Sequence, residues 1–465
     1  DSEGIVQSLK QAVYDFIGDE NIEKGGISAK GLVDTDKGQV IDDVGAGRLL
    51  IGVPLCEIFS TKYNVPFQMD NDARCYAWGE WKFGQGKGSK VFTCMTLGTG
   101  VGCALIYNGE IYNFNEIRLD FYADGSVQFE AFKAGESSSF RELNAERWEN
   151  SYDFSAVQMG KIVKSIIPHQ RPSGITGFVM NTRKPKFADW RVREALIAAF
   201  NFEFINQANT GGRQERITSY FSNSVLSMDA GPAKGRVLEL LEPFAGHLLP
   251  GTIEGYRLPQ SDGSARNRKN IRAADALLSQ AGWTVQNGLR RNAEGLPFEI
   301  TVTLKQGDTE SQSMMDIYQQ ALERLGITLT TEVLDSAQYK ERTQVYDFDM
   351  AYYRRGLSLS PGNEQMLYWG SYGVEQPGTR NWMGMNAPAA EAMIAKLVGS
   401  SSREDFLAAA KALDRILTAG RYVIPIHTSS FSRLAHIKEI KYPKRLPMYG
   451  DWIGFLPDVW WYEAP

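Results

Sequence analysis

Apolar residues Ile5, Val6, Leu9, Val13, Phe16 and Ile17 recur at helical spacing, which predicts an amphipathic helix over 4–18. Short apolar runs and turns alternate from Val40 to Val65. Residues 71–83 read as a second helix with Asp72 near its start. The stretches 91–96 and 101–107 read as strands around a glycine turn at 97–102, and Asn108-Gly109 is a hairpin signal. After residue 113 the texture changes. An alternating strand is predicted at 117–120, a helix at 127–134 stopped by Gly135, and a strand at 178–181. Asp189 caps a helix running to about 200. Helices at 271–282, 313–325 and 338–343 alternate with strands at 298–304, 327–334 and 347–353. Two late helices, 389–398 and 403–418, precede a buried-type strand at 422–426. Strands alternating with helices give an α/β class.

The 465 residues suffice for two or three cores. No stretch approaches the length of a membrane span. The first residues, Asp1-Ser2-Glu3-Gly4, show neither an initiator Met nor a basic-then-apolar leader. The net charge of −5 sits in residues 1–112, which hold 15 acidic and 10 basic side chains, while the remainder balances. Neither part has the basic surface that nucleic acid requires, so a nucleic-acid partner is not expected. All four cysteines, Cys56, Cys75, Cys94 and Cys103, precede residue 104. Unpaired thiols suit a reducing compartment, and a long cysteine-free chain suits export, so the two stretches point to different origins.

The first stretch holds three features that can carry chemistry. The turn Leu97-Gly98-Thr99-Gly100-Val101-Gly102 lets backbone N–H groups approach an anion, although alone it is equally a tight strand connection. Asn71-Asp72-Ala73 puts a carboxylate at a helix start, where an N-cap is the plainer reading. The run Gly84-Gln85-Gly86-Lys87-Gly88 would ordinarily be a loop after a helix end. These join Gly31-Leu32-Val33-Asp34, Asn64-Val65-Pro66, Gly79-Glu80 and Asn108-Gly109 in one ordered series. The series resembles the ROK family of bacterial sugar kinases and sugar-responsive repressors.

That resemblance implies part of an actin-like ATPase. Asp72 would be the base that takes a proton from the sugar hydroxyl, Asn71 a sugar contact, and Gly98, Thr99 and Gly100 a phosphate loop. ATP and magnesium would complete an intact site. The family's aspartate-glycine-glycine phosphate turn is not found before Gly4. Its zinc site cannot be assembled, because no His precedes His169 and no Cys follows Cys103. No helix-turn-helix precedes the stretch, which counts against the repressor branch. An incomplete, inert kinase fragment in a cytoplasmic type of sequence is the expectation.

The second stretch offers few catalytic groups. His169, His247 and His427 have no Ser or Cys partner at a recognisable spacing and read as structural. Asp347 and Asp349 alternate on a strand and read as solvent-facing or loop-capping, and Trp452, Trp460 and Trp461 as packing groups. The ordered motifs point to binding instead. They are Tyr112-Asn113-Phe114-Asn115-Glu116-Ile117, Phe129-Glu130-Ala131-Phe132-Lys133-Ala134-Gly135-Glu136, Asn181-Thr182-Arg183, Asp189-Trp190-Arg191-Val192-Arg193-Glu194-Ala195-Leu196, Ser219-Tyr220-Phe221-Ser222-Asn223-Ser224 and Ser358-Leu359-Ser360-Pro361-Gly362-Asn363-Glu364-Gln365. Together they resemble the extracellular solute-binding proteins of peptide and nickel ABC importers, nearest the oligopeptide branch.

This resemblance implies part of the first domain and the distal lobe of a two-lobed periplasmic receptor, with no cofactor. Its ligand would be a peptide or peptide-like molecule, and its partners the importer's membrane subunits. Arg355, Asn363, Glu364, Trp369 and Arg380 are expected to line the ligand cleft; the alternative is that they pack the lobe. No metal site is expected. The whole chain therefore reads as a chimera, 1–112 and 113–465, joined near Tyr112 without a linker. Fragments cut inside their folds leave open sheet edges, so marginal stability is expected.

Overall fold

A computed structural model describes the chain except residues 1, 18–21, 43–49, 98–100, 108–117, 119, 121, 123–124, 452–455, 457–458 and 464–465. The chain forms two compact units. The first holds Asp1–Arg118, Glu439–Arg445 and Asp451–Pro465; the second holds Leu119–Lys438 and Leu446–Gly450.

In the first unit the amphipathic helix spans Ser2–Ile17. Strand Gly25–Ala29 pairs in parallel with Phe67–Asn71, and Leu32–Asp34 pairs antiparallel with Gln39–Asp42. Val6, Val33, Val40, Leu55, Cys56, Phe59 and Met69 close a small core between these strands and the helix Leu55–Tyr63. Helix Asp72–Phe83 packs Ala77 against Ala104 and Ile106 of the hairpin Val91–Leu97/Val101–Tyr107. Every sheet described in this unit has two strands. The pair Ile440–Lys441/Trp461–Tyr462 belongs here too, with Trp460 fully buried against Tyr442 at 4.5 Å between ring centroids.

The second unit is built on a five-stranded sheet. Its order is Thr328–Leu334, Glu299–Lys305, Met350–Arg355, Ile175–Met180, Val423–Pro425. Ile175–Met180 runs antiparallel to both neighbours, so the other four strands share one direction and one carboxyl edge. The strands alternate between two cores, as period-2 geometry requires. Phe178, Met180, Val302 and Met350 pack on one face with helix Trp190–Ala199, and Val179, Ala351 and Tyr353 on the other with helix Arg403–Ala419. A separate antiparallel sheet orders Ser139–Glu142, Phe431–Ile437 and Ile162–Pro168 over an aromatic cluster of Phe129, Phe132, Phe140, Trp148 and Tyr152.

The predicted helices are present, including Gly125–Lys133 before Gly135 at φ +83°. Two expectations change. Arg118 and Asp120 lie in no strand; Ile117 and Leu119 fall outside the described residues, as do Trp452 and the Tyr112 join. The strand expected from 347 begins only at Met350. Asp349 does not face solvent: it ion-pairs with Lys186 at 2.6 Å and accepts the Thr301 N–H at 3.1 Å, which fixes the strand's entry.

Candidate functional site

In sheets of this kind, ligands gather beyond the carboxyl ends of parallel strands, where loops leave a crevice. Here that edge collects titratable groups from four loops. Beyond Lys305, Asp308 caps helix Thr309–Glu323 by accepting the Ser311 N–H at 3.1 Å, and Glu310 sits in the first turn. Beyond Leu334, helix Ser336–Gln344 carries Tyr339, whose hydroxyl donates to the Tyr352 carbonyl at 2.7 Å. Arg354 and Arg355 end their strand, and His427 follows Val423–Pro425.

Glu310 Oε1 stands 3.6 Å from His427 Nε2, with side chains 30% and 19% exposed. Burial raises the Glu310 carboxyl to about 7; the negative charges of Asp308 and Glu146 add to the rise and Arg433 opposes it. Burial lowers His427 to about 4, helped by the positive charges of Arg433 and Arg354. The two therefore meet as a neutral imidazole and a carboxyl near its midpoint, not as an ion pair. His427 Nδ1 is buried and has no hydrogen-bond partner among the described residues. The sequence reading missed Glu310 and treated His427 as structural. No spacing signal joins them, since only the sheet brings their loops together.

The five residues expected to line the cleft separate into three groups. Arg355 and Arg380 flank one ring: their guanidinium carbons lie 4.7 and 5.9 Å from the Tyr368 centroid. Tyr353 couples them, accepting from Arg355 Nε at 3.5 Å and donating to the Arg380 carbonyl at 3.3 Å. Asn363 and Glu364 start the helix Glu364–Trp369. Asn363 is exposed, while the Glu364 carboxylate accepts the Gly362 N–H at 3.0 Å and Gln365 Nε2 at 3.1 Å. Trp369 is a correction. It is fully buried, donates to Gln365 Oε1 at 2.8 Å, and sits edge-on to Tyr220 and Tyr368. Its place is the core behind Tyr368, because an indole this large is stabilised more by packing than by lining a wet cleft.

In the first unit, Asn71 is an N-cap. Its Oδ1 accepts from the N–H groups of Ala73 at 3.0 Å and Arg74 at 3.3 Å, and its Nδ2 donates to the Gly31 carbonyl at 3.0 Å. Asp72 Oδ1 accepts the Ala73 N–H at 2.9 Å. Gly98, Thr99 and Gly100 lie outside the described residues.

Residues 106–376 match the model of the bacterial extracellular solute-binding proteins, family 5 (middle), and residues 2–114 match that of the ROK family. The two matches overlap only at 106–114, so the chain joins sequence from two families. A putative binding protein of Brucella melitensis is 38% identical over 353 residues, which are 76% of this chain and 56% of that protein. A probable peptide-binding protein of Agrobacterium fabrum is 36% identical over 353 residues, 75% of this chain and 56% of its own length. The chain thus spans little more than half of these relatives. Among solved structures, an oligopeptide-binding protein of Bacillus subtilis in complex with a nonapeptide has a TM-score of 0.56 at 16% identity, covering 74% of this chain and 59% of that one. That likeness concerns the mixed α/β fold.

Proposed function

Because the chain belongs to the bacterial extracellular solute-binding proteins of family 5, we propose that its larger part, 113–465, is the ligand-binding portion of a periplasmic or extracellular receptor serving an ABC importer. The ligand is a peptide or peptide-like molecule, held at the carboxyl edge of the five-stranded sheet. The observation that carries this reading is the approach of Glu310 and His427 to 3.6 Å from segments that follow two strands of shared direction, with the charge of Arg354, near the end of a third, acting on His427. A half-buried carboxyl raised to about 7 is suited to a ligand cation, such as a peptide amino group, which favours its ionised form. Arg355 and Arg380 beside Tyr368 are suited to the opposite end, where a carboxylate takes bidentate hydrogen bonds. Asn363 borders this end, with Glu364 holding its loop rather than pairing with ligand. Trp369 supports the Tyr368 ring from behind. The membrane subunits of the importer are the macromolecular partners, and no cofactor is needed for binding.

The smaller part carries the ROK match over residues 2–114, and its described sheets have two strands each, so the actin-like architecture that the resemblance implied is not seen in it. In an intact kinase, ATP and magnesium would supply the transferred phosphoryl group. Here the Asn71 amide and the Asp72 carboxylate are both engaged in starting their helix, so no transfer step follows from them. Calorimetric titration of the full chain with short peptides tests the main reading. Saturable binding that weakens at least roughly tenfold in Arg355→Ala/Arg380→Ala supports it. Equal affinity in that double variant removes those residues from the site.

A further inference from the structure

The helix Arg268–Gln280 begins against the usual rule. Its first turn carries no acidic residue and opens Arg268-Lys269-Asn270-Ile271-Arg272. The positive end of a helix dipole favours anions, so cations there are unfavourable. Its N-cap, Asn267, sits in the left-handed region at φ 41° and makes no side-chain capping bond. Nothing in the local sequence offsets this arrangement. Unoffset local conflicts of this kind mark functional positions.

The surrounding surface supplies a reason. Arg266, Arg268, Arg272 and Arg324 line one open concavity of about 340 Å³ with Ile271 as its apolar wall. No carboxylate lines it. All four arginines are exposed, and among the described residues none of them forms an ion pair. Arg324 Nη1 donates to the carbonyls of Ala265 at 3.0 Å and Arg266 at 3.3 Å, which holds the loop against the helix start. The Arg272 Nε donates to the Arg268 carbonyl at 3.3 Å, fixing that side chain along the same face. Guanidinium groups match the paired oxygens of phosphate better than a lysine ammonium does. The concavity is also larger than a single phosphate group requires.

This site is not the one at the carboxyl edge. Helix Thr309–Glu323 starts there with Glu310 and runs 15 residues, about 22 Å, before Arg324 follows it at the other end. We propose that the four-arginine concavity binds a phosphate-type polyanion, with pyrophosphate as its simplest form. The same chemistry could be presented by a free phosphorylated molecule or by a phospholipid headgroup.

The test uses the full chain at low ionic strength, where exposed charges are least screened. One arm titrates inorganic pyrophosphate, followed by calorimetry and phosphorus NMR line width. The other measures sedimentation with phosphatidylcholine vesicles, with and without phosphatidylglycerol. Each is repeated for Arg268→Ala/Arg272→Ala and for Lys269→Ala, which removes a neighbouring charge outside the concavity. Saturable pyrophosphate binding that weakens roughly tenfold or more in the double variant, but less than about twofold in Lys269→Ala, supports a free-phosphate ligand. The same pattern with anionic vesicles alone supports a headgroup ligand. Absence of binding in both arms, or equal losses in both variants, overturns the proposal. All three proteins unfold at similar temperatures if the exposed substitutions leave the fold intact, which separates loss of binding from loss of structure.

Discussion

Glu310 and His427 stand 3.6 Å apart, and burial drives their titrations in opposite directions until neither carries a full charge near neutral pH. The sheet places a carboxyl that resists ionisation beside an imidazole that resists protonation. A ligand cation changes that balance, because it favours the ionised carboxylate.

Binding of an amine-bearing peptide should therefore release protons. With the free carboxyl at about 7, affinity is expected to rise from pH 6 to pH 8. Titration in two buffers of different ionisation enthalpy reads the released proton directly. Glu310→Gln is expected to flatten the pH dependence and to weaken binding of the amine-bearing peptide more than that of its N-acetylated form. Equal proton release in the variant would place the cation elsewhere.

The same pair predicts the pH dependence of stability. A carboxyl raised from 4.5 to about 7 favours the folded state while protonated, and this contribution is lost as pH rises through that window. Glu310→Gln should thus gain on the order of 1–2 kcal/mol at pH 8 relative to the parent, after allowance for partial exposure. His427 is lowered from 6.5 to about 4, so its contribution is complete above 6.5 and lost as pH falls through 4. His427→Gln should lose less stability on acidification. Urea unfolding at pH 4.5, 6.5 and 8 checks both signs.

Arg191 and Arg193 share a motif and should behave very differently. Arg193 is buried, donates to the carbonyls of Phe187, Ala188 and Gly420 at 2.7, 2.8 and 3.0 Å, and lies over the Tyr422 ring. Arg193→Ala should cost about 3–5 kcal/mol through three abandoned carbonyls and a cavity. Arg191 pairs with Asp189 at the surface, where solvent screens the pair, and Arg191→Ala should leave the unfolding midpoint nearly unchanged. Thermal unfolding of both variants tests the contrast.

The tilt of legibility toward helices has a physical cause. Helices such as Trp190–Ala199 and Arg403–Ala419 carry a 3.6-residue apolar stripe and a side-chain cap, from Asp189 and Ser402. Strands Ile162–Pro168 and Phe431–Ile437 escaped notice. The first has broken alternation, with Val163 and Ile166 exposed; the second is buried at consecutive positions Leu434, Ala435 and His436. The family motifs located the binding-protein part, yet several proved to be scaffolding. Arg183 of Asn181-Thr182-Arg183 donates to the carbonyls of Gly373, Val374, Asn381 and Trp382. Arg355 and Arg380 were legible as two of five expected cleft residues, but the Tyr368 ring between them was not. Glu310 was unreadable, because its shifted titration arises from burial by loops distant in sequence.

Asp414 is fully buried and its carboxylate accepts the N–H groups of Phe221 at 3.1 Å and Met228 at 2.8 Å, anchoring the loop that carries Ser219-Tyr220-Phe221-Ser222. Asp414→Ala should destabilise by about 2–4 kcal/mol, leaving one buried and one half-buried donor unpaired. Limited proteolysis should then cut near residues 219–228, where the parent resists.

The central claim is that this chain binds peptides at the carboxyl edge of its five-stranded sheet. Thermal unfolding of the full chain against a graded series of peptides tests it most directly, alongside hexoses with ATP and magnesium. A midpoint that rises with peptide concentration, and rises less in Glu310→Gln and in Arg355→Ala/Arg380→Ala, is the predicted result. A midpoint indifferent to every peptide but raised by sugar and nucleotide would contradict it.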